Sequence, residues 1–205
     1  MVMKYYTKEE LKDYNTLEEV WTKVYKDNFD FVTGGNTKHP NATINRKKHF
    51  LKYLPEGGSH REVGAHQGLN IARVLVDYKA SYIDSFDITN KYINILMPYF
   101  KEYCKRNNVK LDFSVTNGEP KLKETAKIVD TVWIDACKRG SWVHAMLKGC
   151  AKTTRYAIGV DDLVSSQDIC KGVDAFLKEQ NEWILEYEDR TNYPGIAVLV
   201  RNENL

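Results

Sequence analysis

Two strand-like runs near the end of the chain, Trp183 to Tyr187 and Ile196 to Val200, lie too close together for a helix to fit between them. A short segment with Pro194-Gly195 joins them, so they must be antiparallel neighbours. Upstream the pattern differs. Strand-like runs near 59–64, 82–88, 110–115, 130–135 and 155–161 are separated by helical intervals. That alternation is the mark of a parallel sheet covered on both faces. A mostly parallel α/β sheet that closes in an antiparallel hairpin is narrower than an ordinary dinucleotide fold, which continues with further crossover helices.

The chain has 205 residues, 42% of them hydrophobic, enough for one core. Charged residues make up 28% and nearly cancel, leaving a formal net charge of +2. No strong field draws in nucleic acid or an anionic membrane, so neither is expected as a partner. Cys104, Cys137, Cys150 and Cys170 are widely spaced with no C-x-x-C pair, which suits reduced thiols better than a disulfide scaffold or a zinc knuckle. The first residues, Met-Val-Met-Lys-Tyr-Tyr, turn charged at once, and no stretch approaches the ~18 apolar residues of a membrane span. A cytoplasmic location is expected, and self-association is left open.

Thr7 with Glu10 and Thr16 with Glu19 both have capping-box spacing, and Tyr14, Leu17, Trp21, Val24 and Tyr25 share one helical face. These features predict a first helix that ends before Gly34-Gly35. A weaker helix around 43–53 leads to the turn cluster at 55–58, dividing a helical appendage, residues 1–55, from the domain proper, residues 56–205. A further helix is predicted from Thr89 to Arg106, kinked or delayed by Pro98. The first strand, His60-Arg61-Glu62-Val63, is poorer in aliphatic residues than a buried central strand should be.

In an open parallel sheet, ligands bind beyond the carboxyl ends of the strands. The first tip runs from Glu62 through Gly64, Ala65 and His66 to Gly68. Its glycines permit tight turning and close backbone approach at a helix N-terminus. The G-x-x-x-G spacing is not that of a dinucleotide site, and a P-loop is absent from the sequence. Asp87 ends the second run about 20 residues further on, where an acid accepts ribose hydroxyls or caps the next helix. Gly118-Glu119 follows the third run, with an acid suited to an adenine amino group. Asp135 ends the fourth, and Asp161-Asp162 the fifth. A buried unpaired carboxylate is costly, and these three suit a hard cation such as magnesium.

Assembled in this order, residues 59–201 resemble a class I S-adenosylmethionine-dependent methyltransferase, of the small O-methyltransferase-like group that includes catechol-type and macrolide- or sugar-directed enzymes. The resemblance implies a Rossmann-like doubly wound sheet of seven strands with the last antiparallel. It implies S-adenosylmethionine held by Glu62, Gly64, Ala65, His66, Gly68, Asp87, Gly118, Glu119 and Asp135. It places magnesium at Asp135, Asp161 and Asp162. Asp135 and Lys138 are the catalytic candidates, although relatives carry an acid or histidine where this chain has Cys137 and Lys138.

The expected reaction is methyl transfer to a small-molecule acceptor, a hydroxyl oxygen in the first instance, with the protein supplying alignment and a dry cavity. His66, Trp142 and His144 are candidate acceptor contacts. The alternative is a non-catalytic module that binds a nucleoside or a partner protein. A nicotinamide oxidoreductase is disfavoured by the glycine spacing. The basic run Asn45 to His49 is read as a solvated helix face rather than a nucleic-acid contact.

Overall fold

The computed structural model describes residues 6–24, 48–118, 122, 126–136, 139–191 and 195–203. Its strands are β1 (Ser59–Val63), β2 (Tyr82–Asp87), β3 (Lys110–Val115), β4 (Val129–Ile134), β5 (Thr154–Asp161), β6 (Trp183–Asp189) and β7 (Ile196–Arg201). They form one sheet in the order β3-β2-β1-β4-β5-β7-β6. The first five strands pair in parallel, and β7 lies antiparallel to both β5 and β6. The terminal hairpin is therefore as the sequence requires, with its second strand inserted against β5. Strand order reverses between β1 and β4, which opens a crevice at their carboxyl ends.

Helices cover both faces. On one lie α1 (Lys8–Leu11), helical residues 17–24, α2 (Leu69–Val76) and α3 (Met97–Asn107), sharing a core with Leu11, Trp21, Ile71, Phe100 and Trp133. On the other lie α4 (Gly140–Ala151) and α5 (Gln167–Glu179), packed through Val143, Leu147, Ile169 and Phe176 onto Val132 and Ile158. Among the described residues, no helix is long and apolar enough to cross a membrane.

Two expectations are corrected here. Within residues 6–24 the predicted first helix is two helices, because each capping box closes on its own N-terminus: Thr7 with Glu10, and Thr16 with Glu19. An N-cap residue has non-helical backbone, so the second box breaks the helix that the first begins. The helix predicted from Thr89 begins as a 3-10 turn, Ile93–Ile95, and becomes α-helical only at Met97, with Pro98 in its first turn. Proline is tolerated there because that N–H has no intrahelical acceptor.

The polar first strand also finds its reason. β1 lies between β2 and β4, and His60, Arg61 and Glu62 are all buried. Each is paired. Toward α2, His60 Nδ1 lies 3.0 Å from Thr131 Oγ1 and Nε2 lies 3.1 Å from Glu62 Oε2, which also accepts from Asn70 Nδ2. On the opposite face Arg61 donates from Nε to Asp84 at 2.7 Å, from Nη1 to Thr153 Oγ1 at 2.8 Å and from Nη2 to the Lys127 carbonyl at 2.9 Å. Buried charge is tolerated where it is paired and hydrogen-bonded.

Candidate functional site

The last parallel pairs are Val63 with Phe86 and Val63 with Ile134, so the residues one step beyond stand level at the carboxyl edge. Those residues are Gly64, Asp87 and Asp135. The register extends the row to Val115, opposite Asp87, and Asp161, one beyond the Ile134–Val160 pair. Gly64 N–H donates to Phe86 O at 2.9 Å and Asp135 N–H to Val63 O at 2.8 Å, binding the three tips together.

The first tip loop turns sharply. Gly64, His66 and Gly68 all have positive φ, 90°, 48° and 80°. At Gly64 a Cβ would lie 2.2 Å from the Asp135 carbonyl oxygen, so only glycine lets the loop lie this close to β4. His66 adopts the left-handed conformation with a side chain, which is uncommon outside glycine. Its ring stacks at an angle on Tyr92, centroids 4.5 Å apart. Burial holds the imidazole below its ordinary pKa, and the nearby Asp87 carboxylate opposes that shift.

Asp87 closes the loop from the other side. One carboxylate oxygen accepts the His66 backbone N–H at 2.8 Å, and the other accepts Thr89 N–H at 3.1 Å. The capping alternative thus becomes a local turn, since the chain at Thr89 is not yet helical. A carboxylate has about four acceptor positions, which leaves two for a ligand. Ala65 is buried, and its carbonyl accepts Gly68 N–H. Gly118 sits where a Cβ would lie 2.8 Å from Val63 Cγ1, so the third tip leans over the first. Glu62 stands beneath the loop in the His60 network. Glu119, Cys137 and Lys138 lie outside the described residues.

Asp135 is exposed at its tip, whereas Asp161 is buried and accepts the Asp162 N–H at 2.8 Å. Asp162 takes the Ser165 hydroxyl at 2.7 Å. Among the described residues, no three His, Cys, Asp or Glu side chains converge to hold a metal ion. Asp135, Asp161 and Asp162 share the carboxyl edge of the sheet. His144 Nε2 lies 3.0 Å from Glu179, the last residue of α5. Ile88, directly after Asp87, is 79% exposed. An apolar residue following a strand-ending acid was the available signal for it.

No protein-family model matches the chain. No curated protein matches it in sequence. Solved structures match in fold. A presumed rRNA methylase of Clostridium thermocellum superposes with a TM-score of 0.59 at 17% identity, over 78% of this chain and 94% of that one. M. capricolum TrmK, solved with the cofactor product S-adenosyl-homocysteine, gives 0.53 at 14%, over 78% and 68%. The B. subtilis M1A22 tRNA methyltransferase TrmK gives 0.52 at 13%, over 76% and 64%.

The chain has a methyltransferase fold. The comparisons also correct an expectation. A small-molecule acceptor with nucleic acid set aside does not stand beside neighbours named for rRNA and tRNA. Net charge averages over the whole surface, whereas recognition is local, so it does not decide the partner.

Proposed function

We propose that this protein is an S-adenosylmethionine-dependent methyltransferase whose acceptor is RNA. The observation that carries the reading is the level row of Gly64, Asp87 and Asp135 at the strand-order reversal, with the glycine loop braced against the Asp87 carboxylate. The RNA acceptor rests on the neighbours named for rRNA and tRNA.

The residues fit such a cofactor. Asp87 retains acceptor positions for ribose hydroxyls, and exposed Ile88 offers an apolar face to a purine beside it. The loop from Gly64 to Gly68 offers backbone at the start of α2, where close approach is sterically allowed. When bound, the cofactor would supply an electrophilic sulfonium methyl for transfer to an acceptor nitrogen or oxygen, with S-adenosylhomocysteine as the leaving group. The protein's part is alignment. Asp135, exposed beside Gly64, is placed to hydrogen-bond an acceptor entering over the sheet edge.

Calorimetric titration with S-adenosylhomocysteine, followed by transfer of labelled methyl to tRNA and rRNA, tests both halves. Binding that is lost in Asp87→Ala, together with label in RNA, is the expected result. No binding by the wild type overturns the enzyme reading. Binding with no label in either RNA overturns the acceptor.

A further inference from the structure

The glycine loop is held from a second direction, by the N-terminal segment. Gln67 lies between the positive-φ residues His66 and Gly68 and is 2% exposed. Both ends of its amide are spent on one residue: Oε1 accepts Tyr6 N–H at 3.4 Å, and Nε2 donates to Tyr6 O at 3.3 Å. Tyr6 is itself 1% exposed. The segment behind it is fastened along α2 and α3 by Tyr99 Oη to Leu11 O at 2.7 Å, Arg106 to Glu18 at 2.6 Å and Trp21 Nε1 to Asp77 at 3.0 Å.

A side chain in the left-handed region persists only where its surroundings over-determine it. At His66 the surroundings are Asp87 on one side and, through Gln67, the N-terminal segment on the other. We infer that Gln67 is a positioning residue that couples the N-terminal segment to the cofactor loop, so that residues 6–24 are part of the binding apparatus. This inference rests on the cofactor reading above. Coupling of this kind is reciprocal: what the segment does for ligand affinity, the ligand does for the order of the segment.

The test uses the full chain. Amide hydrogen exchange of residues 6–24 is measured with and without S-adenosylhomocysteine, and the ligand's affinity is compared in wild type, Gln67→Ala and Trp21→Phe. Expected are slower exchange in the segment on binding and about tenfold weaker affinity in Gln67→Ala. Trp21→Phe, which removes the bond to Asp77 and loosens the same segment, weakens affinity in the same direction by a smaller factor. Wild type that binds without altering exchange in the segment overturns the coupling and leaves the cofactor reading standing. So does a folded Gln67→Ala with unchanged affinity. Wild type that does not bind overturns both. The exchange measurement needs no variant, so a Gln67→Ala that fails to fold leaves the inference open to refutation.

Discussion

The Asp87 carboxylate accepts the backbone N–H of His66 at 2.8 Å, tying the tip of β2 to the glycine loop of β1. Asp87→Ala should therefore act on the loop as well as on any ligand. Leaving that N–H without its acceptor costs about 1–3 kcal/mol, readable as a lower urea midpoint before ligand is added. An unchanged midpoint would mean that water replaces the carboxylate without loss.

Stability should fall in mild acid through His66. Burial lowers its folded pKa below the ordinary 6.5, with Asp87 opposing. The unfolded chain therefore takes up the proton first. The contribution is fully present above pH 6.5 and is lost as pH falls through the folded value. Asn tolerates the left-handed conformation and does not titrate, so His66→Asn should flatten this part of the profile. Parallel profiles for the two proteins would refute the assignment.

The Arg61–Asp84 pair, at 2.7 Å, sits in the middle of the sheet with its guanidinium fully buried. Removing one partner strands a buried charge. Asp84→Ala should cost about 3–5 kcal/mol, while Arg61→Met combined with Asp84→Leu should recover most of it. A double-mutant cycle by chemical denaturation measures the coupling, and additive single effects would show that the pair contributes nothing of its own.

Gly159 makes room for a neighbour. A Cβ there would fall 2.1 Å from Trp133 Cε3 and 3.1 Å from Phe50 Cδ2. Gly159→Ala should cost about 1–3 kcal/mol through overpacking. Replacing Trp133 by Leu in that background should restore part of the loss, and a clash relieved elsewhere would leave the second substitution purely destabilising.

Cys150 and Cys104 should be inert while the protein is folded. Burial raises the Cys150 thiol to about 12 and the Cys104 thiol to about 11, and the thiolate is the reactive form. Labelling at pH 8, read peptide by peptide, should reach both only as denaturant unfolds the chain. Rapid labelling in native buffer would contradict their burial.

Much of the frame was legible because it is local. Strands near 82–88 and 110–115 were readable from period-two patterning, and β6 and β7 from a connection too short for a crossover. Asp87 and Asp135 were recognisable as strand-ending acids. That Asp161 and Asp162 are engaged within their own turn was not legible, because strand-tip position says nothing of where a carboxylate aims. Gln67 went unnoticed because nothing near it in sequence announces Tyr6, 61 residues away. The aliphatic-poor β1 looked anomalous because its partners lie on other strands and loops.

By itself the sequence determined where the strands fall and that the last strand runs against its neighbours, and it marked the strand-tip loops where site chemistry was expected. Those are matters of side-chain period, turn length and backbone freedom, all set within a few residues. Only the tertiary structure decided that Arg61 meets Asp84, that His60 and Glu62 share a network, and that Tyr6 closes on Gln67. Each depends on the register of paired strands or the docking of a distant segment, and a buried polar group is tolerable only once that partner arrives.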